Sequence, residues 1–435
     1  MIHTAIIKLW GTEIGAVSLD DTQKNAAFEY EKSFLSSGIQ VAPIVMPLRQ
    51  GVYSFPSLSY ETFHGLPGLL ADSLPDKFGN ELINLWLAKQ GRLPDSMNAV
   101  ERLCYTGSRG MGALEYVPSI SPFSDKSEEL YVSQLVELAS SVLTNRKHLQ
   151  TVLDEADKKH ISHSLRHIIS LGTSAGGARA KAVIAWNPKT NEVRSGQIEA
   201  GSGFEYWLLK FSGVNGNKDK EADDIFDFGK VEYAYYLMAK EAGINMSECR
   251  LLNDGKNMHF MTKRFDRTSD GKKLHMQSLG AMGHFDFNIP GSVGYEQAFT
   301  ILNALGIGHE DKVDLFRRMV FNIFAFNCDD HVKNISFLMN RQGKWSLAPA
   351  YDMCFAYNPS GEWTSSHQMT INGKRKNIQT EDFDACAKIA GMKTAEKKRL
   401  IEEVHNAISR WKSFASIAEV REEVSEEIGG VLKVN

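Results

Sequence analysis

The chain has 435 residues, of which 43% are hydrophobic and 23% are charged, and its formal net charge is −4. This composition is typical of globular protein that forms two or three packed units, and the acidic balance argues against a protein that coats nucleic acid by bulk electrostatics. The cysteines, five in number, lack CxxC spacing, which predicts neither a disulfide framework nor a zinc site and favours a reducing cytoplasm. No apolar run approaches the roughly 20 residues that span a bilayer, so we expect a cytoplasmic protein without a membrane partner.

The first third of the sequence changes from strand to helix patterning. Residues 1 to about 60 alternate apolar and polar in short runs such as "TAIIKLWG", which predicts a small antiparallel β unit. In "LPDKFGNELINLWLAKQGRLP" the apolar side chains recur at helical spacing, and Gly91 and Pro94 end the predicted helix; these apolar residues are Phe78, Leu82, Leu85 and Trp86. The polar stretch "SPFSDKSEELYVSQL" is interpreted as a connection to the remainder of the chain.

The remainder is predicted to be strands followed by helices. From about 165 to 270 we expect strands around a glycine-rich loop, a helix that ends near Gly243 and a hairpin at "NDGKN". The last third is mostly helical in pattern. In "DKVDLFRRMVFNIFAFN" one helical stripe predicts a buried helix that delivers the chain to Asp329; its members are Val313, Phe316, Val320, Phe324 and Asn327.

The stretch "FNCDDHVKNISFLM" places several polar groups directly after that helix. Adjacent carboxylates in a partly desolvated site repel unless a cation or a proton is present, which favours a ligand with metal. Asp329 and Asn334 have the DxxxxN spacing of kinase-like phosphotransferases, in which the aspartate accepts the hydroxyl proton and the asparagine holds Mg²⁺. Asp330 is one residue out of phase. The alternative is a solvated helix cap, because DxxxxN also occurs by chance.

Other parts of a phosphotransferase occur in kinase order. Asp352 follows a strand-like run and is a candidate second Mg²⁺ ligand, or else a turn aspartate. Lys210 in "EYWLLKFSG" is a candidate phosphate ligand, or else an edge lysine that extends to solvent. Glu232 is a candidate partner for Lys210, or else part of a solvated helix face. The glycine-rich "LGTSAGGARAKAVIAW" is a candidate phosphate cradle, or else only a hairpin; it contains Gly172, Ser174, Gly176, Gly177, Arg179 and Lys181.

At these residues the chain resembles the HipA family, serine/threonine kinase toxins of bacterial toxin–antitoxin modules. The resemblance covers nearly the whole chain. Its motifs are "GLPGLLADSLPDKFGNELI" and "YTGSRGMGALEY" in the N-terminal region, "SAGGARAK" as the glycine-rich loop, "KRFDR" as a hinge segment, and "DDHVKN" with "YD" as the active site. Two departures are Asp330, where the family often has glycine, and a loop that lacks the Gln-Glu pair of some members.

The resemblance implies a role for each matching residue. Asp329 would be the catalytic base, and Asn334 and Asp352 would hold Mg²⁺. ATP would be contacted by Lys210 and the loop, by backbone around the hinge, and by residues along the catalytic loop; this set comprises Gly176, Gly177, Ala178, Arg179, Lys181, Lys210, Lys263, Phe265, His331, Lys333 and Asn334. Ser174 matches the serine that the family autophosphorylates.

The resemblance also implies a fold, partners and a biological setting. The expected fold is α+β and two-lobed, like a protein kinase, with a β-rich N-terminal domain over 1–125, an ATP-binding lobe over 150–266 and a helical lobe over 267–435. The expected partners are a protein substrate such as an aminoacyl-tRNA synthetase, a HipB-like helix-turn-helix antitoxin, and operator DNA mainly through that antitoxin. Two alternatives stay open: a small-molecule phosphotransferase, and a catalytically idle corepressor.

Overall fold

The computed structural model describes residues 2–20, 22–120, 129–144, 179–214, 228–268 and 271–432. The chain forms two compact units. Unit 1 comprises Met1–Gly38, Leu48–Asp219 and Arg250–His275, and unit 2 comprises Ile39–Pro47, Lys220–Cys249 and Met276–Asn435. Within the described ranges, no helix combines the length and the apolar character that crossing a lipid bilayer requires.

The N-terminal part of unit 1 is a five-stranded antiparallel sheet in the order β4-β3-β2-β1-β5. Trp10 and Gly11 both have positive φ, which is the backbone of a tight hairpin turn between the first two strands. The predicted antiparallel β unit is confirmed, and a strand from beyond residue 110 completes it. The strands are β1 Thr4–Leu9, β2 Thr12–Ser18, β3 Ala27–Tyr30, β4 Val52–Tyr53 and β5 Leu114–Val117.

Unit 1 also contains the helices α1 Lys32–Leu35, α2 Tyr60–Phe63, α3 Gly68–Ala71, α4 Lys77–Lys89, α5 Ala99–Thr106 and α6 Val132–Thr144. Of these, α5 packs against β1 and β5. The predicted helix is confirmed as α4. Asp76 is its N-cap, and the Asp76 carboxylate accepts a hydrogen bond from the Gly79 N–H at 2.7 Å. The expected connection over 121–135 is partly wrong, because α6 begins at Val132, where apolar residues at helical spacing become buried.

A second five-stranded sheet in unit 1 has the order β7-β6-β8-β10-β9. The predicted hairpin at "NDGKN" is confirmed between β9 and β10, with the Asp254 N–H donating to the Asn257 carbonyl at 3.2 Å. The strands are β6 Lys181–Trp186, β7 Val193–Ser195, β8 Glu205–Lys210, β9 Cys249–Asn253 and β10 Met258–Lys263. One apolar core joins this sheet to the N-terminal helices; it includes Phe78, Leu82, Trp86, Leu135, Ile184, Trp207 and Leu209.

Unit 2 is mainly helical, as predicted. Its helices are α7 Phe228–Glu241, α8 Leu279–Gly283, α9 Tyr295–Ala304, α10 His309–Phe324, a 3-10 turn Thr380–Phe383, α11 Asp384–Ile389, α12 Thr394–Ile408, α13 Trp411–Ile417 and α14 Glu422–Leu432. A three-stranded sheet in the order β11-β12-β13 comprises β11 His275–Ser278, β12 Ser336–Met339 and β13 Trp345–Leu347.

Helix α10 carries the chain to the candidate site. The predicted buried helix is confirmed, but its burial is wider than one stripe: from Leu315 onward nearly every side chain is buried, whereas Val313 is only half-buried. Asn327 lies three residues beyond the helix end and is buried. Phe326 adopts φ 51°, a left-handed conformation that turns the chain sharply out of the helix. The polar stretch therefore begins at a rigid and well-buried point.

Candidate active site

The loop that contains Asp329 is fixed at its start by the segment that follows Asp352. Asn327 and Ala356 form a parallel bridge. The Cys328 N–H donates to the Ala356 carbonyl at 3.1 Å, and the Ala356 N–H donates to the Phe326 carbonyl at 3.0 Å. These backbone hydrogen bonds join the start of the Asp329 loop to the segment after Asp352. The sequence related these two segments only through their order along the chain.

Asp329 and Asn334 are brought together within this loop. The Asn334 side-chain N–H donates to the Asp329 carbonyl at 2.9 Å, and the same carbonyl accepts the His331 backbone N–H at 2.9 Å. The Asp329 side chain is 40% exposed. Its Oδ1 atom accepts a hydrogen bond from the Trp363 indole N–H at 2.9 Å and lies 3.9 Å from His331 Nε2. The DxxxxN spacing thus corresponds to a closed loop that presents one reachable carboxylate.

Asp330, in contrast to the exposed Asp329, is completely buried. Its side chain has 0% exposure and accepts hydrogen bonds from the Tyr295 hydroxyl at 3.0 Å and the Gln368 backbone N–H at 2.7 Å. His367 Nδ1 lies 3.4 Å from Asp330 Oδ2. Burial lowers the pKa of His367, but the Asp330 carboxylate and the contact with Cys328 outweigh burial and raise the pKa to about 10. Asp330 and His367 therefore form a buried ion pair.

A chain of buried polar groups extends this pair toward α10. The Asn322 side-chain N–H donates to the Tyr295 hydroxyl at 3.0 Å, and the Asn327 side-chain N–H donates to Asn322 Oδ1 at 2.9 Å. Burial, and next the Asp330 carboxylate, raise the pKa of Tyr295 well above its ordinary value. Buried hydrogen-bond networks of this kind make a loop more rigid. Asp330 is thus part of the mount that supports the exposed Asp329.

Asp352 follows β13, as its strand-like preceding run predicts. It has φ 57°, a left-handed conformation that Asp and Asn tolerate better than most residues. The preceding Tyr351 hydroxyl donates to the Lys333 carbonyl at 2.6 Å and lies 2.6 Å from the Ser336 hydroxyl, which ties this turn to the loop. Asn334 and Asp352 line one pocket in unit 2; its polar lining also includes Asn322, Asn327, Asp330, His331 and Tyr351.

The donor set of this pocket fits Mg²⁺. Because the Asn334 nitrogen donates to the Asp329 carbonyl, the amide oxygen is the atom left as an acceptor. An amide oxygen and a carboxylate are hard oxygen ligands, and Mg²⁺ at phosphate sites commonly takes one or two such groups, with water and phosphate supplying the rest. Among the described residues, no group of three or more His, Cys, Asp and Glu side chains is arranged to hold a metal. An Mg²⁺ held by Asn334 and Asp352 would take its remaining ligands from water and phosphate.

His331 and Lys333 lie against Phe287. The ring centroids of His331 and Phe287 are 5.9 Å apart, and the Lys333 ammonium lies 5.0 Å from the centroid of the Phe287 ring. His331 Nδ1 is buried and has no hydrogen-bond partner in the described part of the chain. Within unit 2 the structure thus groups Asp329, His331, Lys333, Asn334 and Asp352 around one loop and one turn.

The predicted nucleotide residues in unit 1 lie on the second sheet. Lys210 is on β8, the central strand, so the edge-lysine alternative is wrong. Its ammonium lies 5.7 Å from the centroid of the Phe260 ring. Lys263 ends β10 and donates to Glu205 Oε1 at 2.7 Å. Phe265 lies two residues after Lys263 and is half-buried, and Arg179 lies two residues before the start of β6.

Lys181 is deeply buried and paired. Its ammonium lies 3.4 Å from Asp76 Oδ2, and the two side chains are 7% and 5% exposed. Lys181 also lies directly opposite Lys210 in the β6–β8 register, so both side chains leave the same face of the sheet. The Asp76 carboxylate is the counter-ion of the buried lysine.

The hinge segment is tied to the N-terminal sequence by a buried ion cluster that sequence reasoning missed. Asp266 has 0% side-chain exposure and accepts two hydrogen bonds from Arg264, at 2.9 and 2.7 Å, and one from Arg267 at 2.6 Å. The Gly112 N–H also donates to it at 2.7 Å. Burial raises the pKa of Asp266, but the two arginines and these hydrogen bonds lower it to about 2. The charged residues of "KRFDR" are the sequence feature that could have indicated this ion cluster.

Some predicted residues lie elsewhere. Glu232 is 3% exposed, so the solvated-face alternative is wrong, while its pairing with Lys210 stays a prediction. Gly172, Ser174, Gly176, Gly177 and Ala178 lie outside the described residues. Trp363, His367 and Gln368 were not predicted, because nothing in "GEWTSSHQ" distinguishes them from loop residues.

Both the sequence and the fold match those of known proteins. The sequence model for the HipA-like C-terminal domain matches residues 173–411, and that for the HipA N-terminal domain matches residues 5–117. The chain belongs to the HipA family. A HipA structure from Shewanella oneidensis MR-1, solved with HipB and operator DNA, superposes with a TM-score of 0.65 at 16% identity and covers 99% of this chain and 95% of that chain. This likeness confirms the predicted fold, α+β with the two lobes of a protein kinase.

Two further relatives are kinases by description. A "Putative kinase" of Haemophilus influenzae is 29% identical over 134 residues, which is 28% of this chain and 39% of the relative. The match thus spans about two fifths of that relative's length. The Helicobacter pylori proinflammatory kinase CtkA superposes with a TM-score of 0.34 at 16% identity, covering 53% of this chain and 86% of that chain. A likeness of that degree carries no conclusion about this HipA-family chain.

Proposed function

We propose that this HipA-family chain is an ATP-dependent serine/threonine protein kinase. The observation that carries the proposal is the closed loop in which Asn334 bonds the Asp329 carbonyl while the Asp329 carboxylate stays 40% exposed. A general base must be within reach of the proton that it accepts, and Asp330 is buried in an ion pair with 0% exposure. Of the two adjacent carboxylates, Asp329 is the one suited to this role.

In the proposed reaction the acceptor hydroxyl loses its proton to Asp329. Its oxygen forms a bond to the γ-phosphorus of ATP while the bond from that phosphorus to the β,γ-bridging oxygen breaks, and ADP leaves. Asn334 and Asp352 would hold Mg²⁺, which supplies positive charge to the phosphate oxygens when bound. The remaining roles follow the family: Lys210 at the phosphates, backbone around Lys263 and Phe265 at adenine, and His331 and Lys333 along the nucleotide.

Other parts of the proposal rest on family membership. The glycine-rich loop over Gly176, Gly177 and Ala178 would cradle phosphate, and autophosphorylation of Ser174 would silence the enzyme, because a phosphoserine carries about −1.5 to −2 charges and competes with the anionic tail of ATP. Arg179 and Lys181 remain candidates for holding that phosphate, although the ion pair of Lys181 with Asp76 favours a structural role. The proposed domains are a β-rich domain over 1–125, an ATP-binding lobe over 150–266 and a helical lobe over 267–435.

Partners are proposed on the same basis. The Shewanella HipA was solved together with HipB and operator DNA, which supports a HipB-like antitoxin for this chain and operator binding mainly through it. The net charge of −4 agrees with weak bulk attraction of the isolated chain for DNA. The proposed acceptor is a protein of the translation apparatus, and the proposed compartment is the cytoplasm.

The decisive experiment is a phosphate-transfer assay. The purified chain is incubated with ATP labelled at the γ-phosphate and with a cell lysate, and Asp329→Asn serves as the control that cannot accept the proton. Labelled proteins that are absent from the control support the kinase. Label only in small molecules supports the small-molecule phosphotransferase, and no label in either fraction supports the idle corepressor. Mass spectrometry of the chain itself reports whether Ser174 is modified.

A further inference from the structure

A loop after Asp352 reaches back over the proposed base. We name residues 358–368 the Trp363 loop. Its Trp363 side chain is half-buried, and the indole N–H donates to Asp329 Oδ1 at 2.9 Å. This is a direct contact between Asp329 and a side chain 34 residues later, and neither the DxxxxN pattern nor the family roles given above include it.

The Trp363 loop is anchored on the same buried group that supports the catalytic loop. Gln368 is 4% exposed, its backbone N–H donates to Asp330 Oδ1 at 2.7 Å, and its side-chain N–H donates to the Trp363 carbonyl at 2.6 Å. His367, the adjacent residue, forms the ion pair with Asp330. Asp330 therefore holds the Trp363 loop through its hydrogen bond with Gln368. It also holds Asp329, which is the preceding residue in the chain.

The loop is also closed upon itself. The Asn358 N–H donates to the Thr364 carbonyl at 3.4 Å, and the Gly361 N–H donates to the Asn358 carbonyl at 2.9 Å. The Ser360 N–H and hydroxyl both donate to Asn358 Oδ1, at 3.1 and 2.9 Å. Moving Trp363 away from Asp329 as a gate would require the loop to open or its buried anchor at Asp330 to break.

A carboxylate base acts through one oxygen at a time, and its rotation must be limited for the other oxygen to meet a hydroxyl. The indole N–H holds Oδ1, and His331 Nε2 lies 3.9 Å from the same atom. We propose that Trp363 is a positioning residue: its hydrogen bond to Oδ1 limits the rotation of the Asp329 carboxylate and so orients it toward the hydroxyl whose proton it accepts. This inference rests on the proposed kinase function.

The test compares Trp363→Phe with the wild-type full chain. Phenylalanine keeps an aromatic ring and removes the N–H donor. We expect kcat for phosphate transfer to the labelled protein acceptors to fall about 10- to 100-fold, on the scale of lost positioning, while KM for ATP stays within about twofold and the melting temperature is kept. In an Asp329→Asn background, Trp363→Phe should cause no further loss, because its effect acts through the carboxylate.

Trp411→Phe is the matched control. Its indole N–H donates to the Ser425 carbonyl in α14 at 2.9 Å and not to a residue of the candidate site, and the substitution should leave kcat within about twofold. An unchanged kcat in Trp363→Phe overturns the inference, and a raised kcat overturns it in favour of a blocking contact. If wild type transfers no phosphate, or Asp329→Asn is fully active, the proposed function fails and the inference falls with it. If Asp329→Asn is inactive while Trp363→Phe is unchanged, only the inference fails.

Discussion

Asp330 Oδ2 and His367 Nδ1 lie 3.4 Å apart in an ion pair whose two side chains are 0% and 8% exposed. The pair joins the loop that contains Asp329 to the Trp363 loop, and Asp330 is the residue next to the exposed Asp329. Two aspartates that are neighbours in sequence thus have different tasks: one is presented to solvent, and the other fixes the arrangement that presents it.

The ion pair predicts a pH dependence of stability. The pKa of His367 is raised to about 10 in the folded protein, above its value of about 6.5 in an unfolded chain. A raised folded pKa contributes stability that is fully present below about pH 6.5 and is lost as the pH rises through about 10. We expect the urea concentration at the midpoint of unfolding to decrease when the pH is raised from 7 to 10 in wild type. The decrease should be smaller in His367→Gln. Equal pH slopes in the two proteins would contradict the ion pair.

The two aspartates should respond differently to replacement by asparagine. Asp329→Asn should lower kcat by about 10²–10⁴-fold, the usual contribution of a general base, with little change in the free energy of unfolding because the side chain is 40% exposed. Asp330→Asn should lower the free energy of unfolding by roughly 3–5 kcal/mol, because it breaks a buried ion pair by removing one partner. Rate assays and chemical denaturation of both variants provide the check. Loss of stability in Asp329→Asn rather than in Asp330→Asn would reverse the two assignments.

Asp352 offers a test of the metal ligands. Because Asp352 has φ 57°, alanine would add backbone strain, whereas asparagine tolerates that conformation and removes only the charge. Asp352→Asn should lose the dependence of ATP affinity on Mg²⁺, measured by calorimetry with and without EDTA, while keeping the wild-type melting temperature. An ATP affinity that still rises with Mg²⁺ as in wild type would rule out Asp352 as a ligand.

Lys181 and Lys210 are a matched pair on one sheet face. Lys210→Met should weaken ATP binding and leave stability nearly unchanged. Lys181→Met should instead lower the free energy of unfolding by roughly 3–5 kcal/mol, because it removes the counter-ion of the buried Asp76 carboxylate. The double variant Asp76→Asn with Lys181→Met should recover part of that loss. Thermal unfolding and nucleotide titration of wild type, the two single variants and the double variant separate a structural role from a nucleotide-binding role. If Lys181→Met loses ATP binding but keeps its stability, Lys181 binds nucleotide.

Local patterns in the sequence predicted much of this fold. Helices α4 and α10 and the hairpin at "NDGKN" follow from apolar spacing and turn residues, and the Asp329–Asn334 contact follows from a five-residue interval. What could not be predicted depends on contacts between distant residues. Asp330 is neutralised by His367 and Trp363 bonds Asp329, and no periodicity brings such residues together. The burial of Lys181 likewise depends on Asp76, which belongs to the other family domain.

The shared core of unit 1 and the Asp266 cluster have a consequence for how the gene can be divided. Family models recognise residues 5–117 and 173–411 as separate domains, yet Trp86 packs in one core with Trp207, and Gly112 donates to Asp266. A fragment that starts at residue 173 would expose that core to water and would remove the Gly112 hydrogen bond from the Asp266 cluster. The boundary between the two family domains therefore does not separate the packed parts of unit 1, whose core contains residues from both sides of that boundary.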